Sequence, residues 1–353
     1  MKKAAYRYSR AITGKSGVLD VNKLHAYKTS EDIFSQVTNL ANAQSHGMIL
    51  LVDYSGSMAD TLPEVLDQVT SLILFCKQIN IPFDVYAFTS CNEKLWDSGE
   101  DGDMDLQLIS MPHLCSSSLN KKDLDLALLN LYTRQKNQFY YNYGSPTEHL
   151  GSTPLDQALI VTHDLIRDFK AKHQIQKMNL ITFTDGDSNP LNYVTKGDMD
   201  RTPIKRGHSV NIQVQGKMLR EVPRSKSTEM LLENIKKKFG ATTLGFFMTN
   251  HSSDWNRRLY IMAKAGGRSD MLHTYKSECN KEFRLNKCVT KKNILGYSEY
   301  YMVKAGKSLS TSVDDFDTDD SATRSQITTA FKKYSKSKKN NKVLMTNFSK
   351  AIA

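Results

Sequence analysis

The sequence predicts an α/β fold, with a doubly wound, mostly parallel central sheet, helices on both faces and an irregular C-terminal extension. Three observations carry this expectation. Short apolar runs bounded by glycine or polar turns read as buried parallel strands. Longer segments between them repeat apolar residues at helical spacing, and the two kinds alternate through most of the chain. With 39% hydrophobic and 9% aromatic residues, the 353-residue chain carries enough apolar material for a core.

Residues 1–46 form a polar lead of weak periodicity, expected to pack on the domain with a helix over 32–43. The run MILLVDYSGSM at 48–58 reads as a buried strand ending in a small polar turn. A helix follows over 62–80, with Pro63 in its first turn and Val65, Val69, Leu72, Ile73 and Cys76 on one face. FDVYAFTS at 83–90 is the second strand, and a helical pattern spans 121–138. After a polar loop at 144–153, a helix over 154–172 places Leu155, Leu159, His163, Ile166 and Phe169 on one side. Next come a strand at 178–185, a short strand SVNIQV, a basic helix over 227–239, the strand TTLGFFM and a helix over 254–265. The expected units are therefore a lead (1–46), a domain (47–275), an extension (276–320) in which 293–303 forms an edge strand, and a basic tail (321–353).

The net charge of +11 is unevenly spread. Residues 321–353 hold eight basic and no acidic side chains, and residues 201–239 hold ten basic and three acidic ones, which leaves −4 for the rest of the chain. The basic character thus belongs to two segments. No stretch reaches the roughly 18 apolar residues of a membrane span, and the basic start lacks the apolar block of a secretion signal. The expectation is a cytoplasmic protein with no membrane partner. Five cysteines without a CxxC pair argue against a disulfide framework.

Chemistry-bearing residues gather at the carboxyl ends of the expected strands, where sheets of this kind bind ligands. The first strand ends in Asp53, Ser55 and Ser57, a loop carries Thr153, and a later strand ends in Asp185. Three hydroxyls and two carboxylates, without sulfur or imidazole, suit a hard octahedral cation, Mg2+ or Mn2+. Gly56 lets the backbone bend within the alternating set. The alternative is that Asp53 and Asp185 are strand-end carboxylates capping helix N-termini.

This set resembles the metal-ion-dependent adhesion site of von Willebrand factor type A (VWA) domains, DxSxS followed by a distant Thr and a distant Asp. The resemblance implies direct metal contacts from Ser55, Ser57 and Thr153, contacts from Asp53 and Asp185 direct or through water, and one open position for a partner's carboxylate. The segments GVLDVNKLHAY, MILLVDYSGSM, FDVYAFTSCNEKLWDSG, GSTPLDQAL and NLITFTDGDSNP are also similar to the C-terminal half of the cobaltochelatase CobT subunit, which has compact relatives in tailed bacteriophages. That resemblance implies a non-ATPase subunit of a chelatase or remodelling complex, coupled to an AAA+ ATPase of the MoxR/CobS type. The family's long N-terminal region has no counterpart here, which counts against cobalamin biosynthesis itself.

Other motifs carry less. Gly14-Lys15-Ser16 lacks the first glycine of a phosphate-binding loop, no HExxH is present, and His163 on a helix face reads as packing. Cys279, Cys288 and His273 lack a fourth ligand for a soft metal. The acidic run DDFDTDD (314–320) lacks the glycine and closing glutamate of a calcium loop; it is a solvated charge run, an imitation of an acidic ligand, or a partner of the adjoining tail. Phe331, Tyr334 and Phe348 among the tail lysines would permit nucleic-acid contact, which makes a nucleic-acid-binding protein on a VWA scaffold the alternative function.

Overall fold

A computed structural model describes residues 12–19, 34–39, 45–78, 80–90, 109–136, 149–195, 198–205, 207–249 and 251–304. In chain order these form β1 (Ile12–Leu19), β2 (Phe34–Asn39), β3 (His46–Asp53), α1 (Leu62–Gln78), β4 (Phe83–Ser90), β5 (Ile109–Ser110), β6 (His113–Ser116), α2 (Lys121–Lys136) and α3 (Leu155–His173). They continue with β7 (Lys177–Thr184), β8 (Asn192–Thr195), β9 (Asp198–Pro203), β10 (Ser209–Val214), β11 (Lys217–Pro223) and α4 (Ser227–Phe239). The last are β12 (Thr242–Thr249), α5 (Ser252–Ala265), α6 (Leu272–Asn286), β13 (Val289–Ile294) and β14 (Tyr297–Lys304).

The central sheet runs β13-β14-β12-β7-β3-β4, with the short β5 and β6 both antiparallel on β4. β14, β12, β7, β3 and β4 are mutually parallel, and β13 closes the far edge antiparallel. From β3 the chain winds outward to β4 in one direction and later returns to add β7, β12 and β14 in the other. The order therefore reverses between β3 and β7, and the crevice at that reversal lies above their carboxyl ends.

Both faces of the sheet are covered, as a parallel sheet requires. Strand alternation sends Met48, Leu50 and Val52 of β3 toward α1 and α2, while Ile49 and Leu51 face α3, α4 and α5. On α1 the stripe Val65, Val69, Leu72, Ile73 and Cys76 is buried as its spacing predicts. Burying side chains of this size contributes roughly 1.5–3 kcal/mol each, so the two layers carry most of the folding free energy.

Several expectations need correction. Residues 34–39, inside the helix expected over 32–43, are strand β2, paired antiparallel with β1. Gly14, Lys15 and Ser16 lie within β1, an extended backbone that does not wrap a phosphate. SVNIQV is β10, paired with β11 in a separate two-stranded ribbon and not in the central sheet. The single edge strand expected at 293–303 is broken at Leu295-Gly296, where both residues have positive φ, and the hairpin so formed makes β14 an interior strand. The sheet thus continues to Lys304, well past the boundary expected at 275. The acidic run and the basic tail lie outside the described residues.

Candidate metal centre

The crevice is built from three segments stitched together by backbone bonds. After β3, Ser55 stays extended (φ −87°, ψ 158°) before the tight turn Gly56–Met58. Tyr54 N–H donates to Phe88 O at 2.9 Å, which holds this turn to the end of β4. The loop after residue 148 then joins it: Ser55 and Gly151 form a parallel bridge, Gly151 N–H donates to Tyr54 O at 3.1 Å, and Gly56 N–H donates to Gly151 O at 2.8 Å.

The end of β4 fixes that loop with two hydroxyls. Thr89 Oγ1 donates to His149 O at 2.9 Å and accepts from Gly151 N–H at 3.0 Å, while Ser90 Oγ accepts from Ser152 N–H at 2.8 Å. Only glycine fits at 151, since a Cβ there would sit 2.3 Å from Ser90 Oγ and 2.9 Å from Thr89 Oγ1. From the other side, Asn189 N–H donates to Thr153 O at 2.8 Å, tying the loop after β7 to Thr153. Thr153 is buried as a result.

Asp53, Ser55, Ser57 and Asp185 meet at this junction, and Thr153 is placed in the adjoining loop through its backbone. Ser55 Oγ lies 3.1 Å from Ser57 Oγ, and Ser57 Oγ donates to Asp185 Oδ1 at 3.0 Å. Asp53, fully buried, accepts from Thr184 Oγ1 at 2.7 Å on Oδ2, while its Oδ1 is buried with no hydrogen-bond partner of regular geometry. Burial pushes the Asp53 carboxyl up to about 7; the Thr184 and Ser55 groups pull it back, and the charge of Asp185 adds to the rise. Asp185 is raised for the same leading reason, burial, with the Ser57 hydroxyl opposing.

A buried carboxylate oxygen without a regular hydrogen bond is costly, and among the described residues neither Asp53 nor Asp185 forms an ion pair. At the turn Gly56–Met58 no side-chain cap bond is made, and Asp53 Oδ2 is bonded to Thr184. Two carboxylates and two hydroxyls drawn together, with Thr153 in the adjoining loop, are a donor set that fits a hard cation. Among the described residues no three His, Cys, Asp or Glu side chains form a metal-holding group, so any cation would rely on the hydroxyls.

Thr184, Thr89 and Ser90 were not singled out from the sequence. A threonine immediately before Asp185, and two hydroxyls closing a strand, were the available signals. His163 packs as read, buried between Leu159 O (2.7 Å from Nδ1) and Asn234 Oδ1 (3.1 Å from Nε2); Cys76, Cys115, Cys279 and Cys288 are buried, and Cys91 lies outside the described residues. A cleft of about 700 Å³ opens beside the centre, reached past Thr184 and Gly186.

No family model matches the chain, and no curated protein matches it in sequence. Among solved structures, the chain is similar to the pilus adhesin SpaC from Lactobacillus rhamnosus GG, at 14% identity and a TM-score of 0.36 over 59% of this chain and 24% of that one. It is similar to the vWF domain of the type V pili tip protein Mfa5 from Porphyromonas gingivalis, at 10% identity and 0.33 over 59% and 82%. A third is an aerotolerance-related membrane protein from Bacteroides fragilis, at 12% identity and 0.29 over 57% and 66%. The chain thus spans about a quarter of the pilus adhesin, and the α/β assignment rests on its own strand order.

Proposed function

We propose that this chain is a VWA-type adaptor that holds Mg2+ or Mn2+ through Asp53, Ser55, Ser57, Thr153 and Asp185 and uses it to grip an acidic residue of a partner protein. The observation that carries the reading is the buried Asp53 carboxylate, whose Oδ1 has no hydrogen bond of regular geometry among the described residues while the hydroxyls of the same set stand beside it. The ion would supply the missing positive charge and one coordination position for an incoming carboxylate. The protein's own groups do the rest. Thr184 orients Asp53, Ser57 orients Asp185, and the Gly151 loop sets Thr153 beside the turn.

With only two carboxylates in the set, a bound divalent ion keeps affinity for a third. That property suits reversible docking better than permanent storage. The similarity of the sequence segments to the CobT subunit favours an AAA+ ATPase of the MoxR/CobS type as the partner, with this chain as its non-ATPase component. Calorimetric titration of Mg2+, with pulldown of that ATPase in Mg2+ and in EDTA, tests the reading. Asp53→Ala and Thr153→Ala should each abolish Mg2+-dependent capture, and unchanged capture in both would overturn it.

The nucleic-acid reading has one observation of its own: the β10–β11 ribbon projects the exposed side chains of Lys217 and Arg220. It predicts binding that falls steeply with salt, is indifferent to EDTA and is lost on deleting residues 321–353.

A further inference from the structure

One stretch of chain, residues 185–189, serves two parts of the candidate centre: it carries Asp185 and it holds the loop of Thr153. We propose that Arg258 is the positioning residue of the centre, clamping Asp187 and so setting the stretch on which both parts depend. The inference rests on the metal reading above and assigns to that site a residue outside the five.

The stretch is tied at both ends. At its start Thr184 Oγ1 donates to Asp53 Oδ2 at 2.7 Å and accepts from Gly186 N–H at 3.2 Å, and Asp185 Oδ1 accepts from Ser57 Oγ at 3.0 Å. At its end Ser188 Oγ accepts from Asp156 N–H at 2.9 Å, and Asn189 N–H donates to Thr153 O at 2.8 Å. Packing does little between these ties: a Cβ at Gly186 would meet nothing within 4 Å, and Asp187 is exposed. Two arginines of α5 hold the middle. Arg258 Nη1 lies 2.8 Å from Asp187 Oδ1, and Arg257 Nη2 donates to Asp187 Oδ2 at 3.2 Å.

The two arms are unequal. The Arg257 side chain is 70% exposed, and a surface pair of this kind contributes little. Arg258 is 7% exposed, and its guanidinium carbon lies 4.5 Å from the Phe247 ring centroid and 6.0 Å from that of Tyr300. Trp255, Leu259 and Met262 are buried along the same face of α5, so the helix and the sheet beneath it fix where this charge sits. Arginine is rarely buried without a partner, and among the described residues Asp187 is the one ion-pair partner of Arg258. A buried pair adds little net stability over apolar side chains of the same size. Packing on Phe247 therefore does not call for an arginine, whereas fixing Asp187 does. Arg258 and Asp185 also line one cavity of about 30 Å³, which puts the anchor beside the carboxylate it serves.

Calorimetric titration of Mg2+ on the full chain, well below each variant's melting temperature, reads the positioning. Arg258→Met keeps an unbranched side chain over Phe247 and removes the charge, and Mg2+ affinity should fall roughly 10- to 100-fold. The sign separates the roles. Loss of the Arg258 charge, which acts on Asp185, would by itself strengthen cation binding, and a role confined to packing would leave the affinity alone. A fall therefore reports a displaced loop. Arg257→Met, which removes the exposed arm, should stay within about twofold of the wild-type chain. Arg258→Lys restores a charge without the planar fork and should recover part of the affinity. The double variant Arg258→Met/Asp187→Asn leaves neither charge unpaired in the fold, and should lose no more affinity than Arg258→Met alone, as residues acting as one unit do. Unchanged or tighter binding in Arg258→Met and in the double variant overturns the positioning role and leaves the metal reading intact. An equal loss in Arg257→Met overturns it too, because the clamp would then belong to the surface arm. A wild-type chain that does not bind Mg2+ overturns the metal reading and this role with it.

Discussion

At the scale of single residues, Asp53 is the fully buried carboxylate of the candidate site. Its carboxylate is buried, bonded on one oxygen to Thr184 and without a regular hydrogen bond on the other among the described residues, so the ionised side chain burdens a fold that holds no cation beside it. Asp53→Asn keeps the shape and the Thr184 contact while removing the charge. In EDTA the variant should melt at or above the wild-type temperature. Mg2+ at about 100 times its dissociation constant stabilises the wild-type chain by about 2.7 kcal/mol, a rise of roughly 5–10 °C for a domain of this size, and should leave Asp53→Asn unmoved. Differential scanning fluorimetry of the two proteins with and without Mg2+ measures this. A variant that still responds to Mg2+ would mean the ion binds elsewhere.

Among elements, the loop through Gly151 decides whether the three pieces of the site meet. Gly151→Ala places a methyl group against the Ser90 and Thr89 hydroxyls and 3.1 Å from Ser90 O, a backbone atom that cannot swing aside. Overpacking of this kind costs about 1–3 kcal/mol, and it should also weaken Mg2+ binding by displacing Thr153, where a change confined to stability would leave the ion's affinity alone. The β13–β14 hairpin gives a second prediction at this scale. Ending the chain at residue 275 removes β14, and with it Tyr300, Tyr301, Met302 and Val303, all 2% exposed or less. At roughly 1.5–3 kcal/mol for each such side chain, the loss approaches the whole stability of a domain. A chain ending at 275 should be unfolded by circular dichroism, whereas one ending at 305 should keep a cooperative melt.

These elements also show what the sequence could and could not reveal. Asp53, Ser55, Ser57 and Asp185 were legible because each follows a long apolar strand whose type and end are unambiguous, and β3, β7 and β12 with α3, α4 and α5 were read to within two residues. β14 was misplaced because its apolar residues follow a polar, charged β13, and the turn that separates them depends on positive φ at Leu295 and Gly296, a tertiary feature with only the glycine as a clue. β2 was read as a helix because 34–39 offers too few apolar residues to fix a period, so its pairing with β1 decided the outcome. Thr184 and Thr89 went unremarked because a hydroxyl at a strand end has no signature until its acceptor is known.

Across the whole molecule, carboxyl groups are buried on both sides of the candidate site. Asp156 sits at the start of α3, is 2% exposed and is pushed up to about 6 by burial, against the pull of the Ser227 and Thr228 hydroxyls. Glu64, in the first turn of α1, is pushed up to about 7 by burial and by the charge of Asp60, and its Oε2 has no hydrogen-bond partner among the described residues. Both values lie above those of the unfolded chain, 3.8 and 4.5. The native state therefore holds more protons than the unfolded state across the interval from about pH 4 to about pH 7. The stability these two groups contribute is complete below the unfolded values and is lost as pH rises through the folded ones. For Asp156 the loss is about 3 kcal/mol. Asp156→Asn combined with Glu64→Gln removes both titrations, so the variant should gain on the wild-type chain steadily from pH 4.5 to 7.5. Urea unfolding in EDTA at three pH values across that range measures the difference between the two proteins, which cancels the ordinary surface carboxylates. A difference that is constant with pH, or that shifts in favour of the wild-type chain as pH rises, would mean that these carboxylates stay ionised in the folded protein.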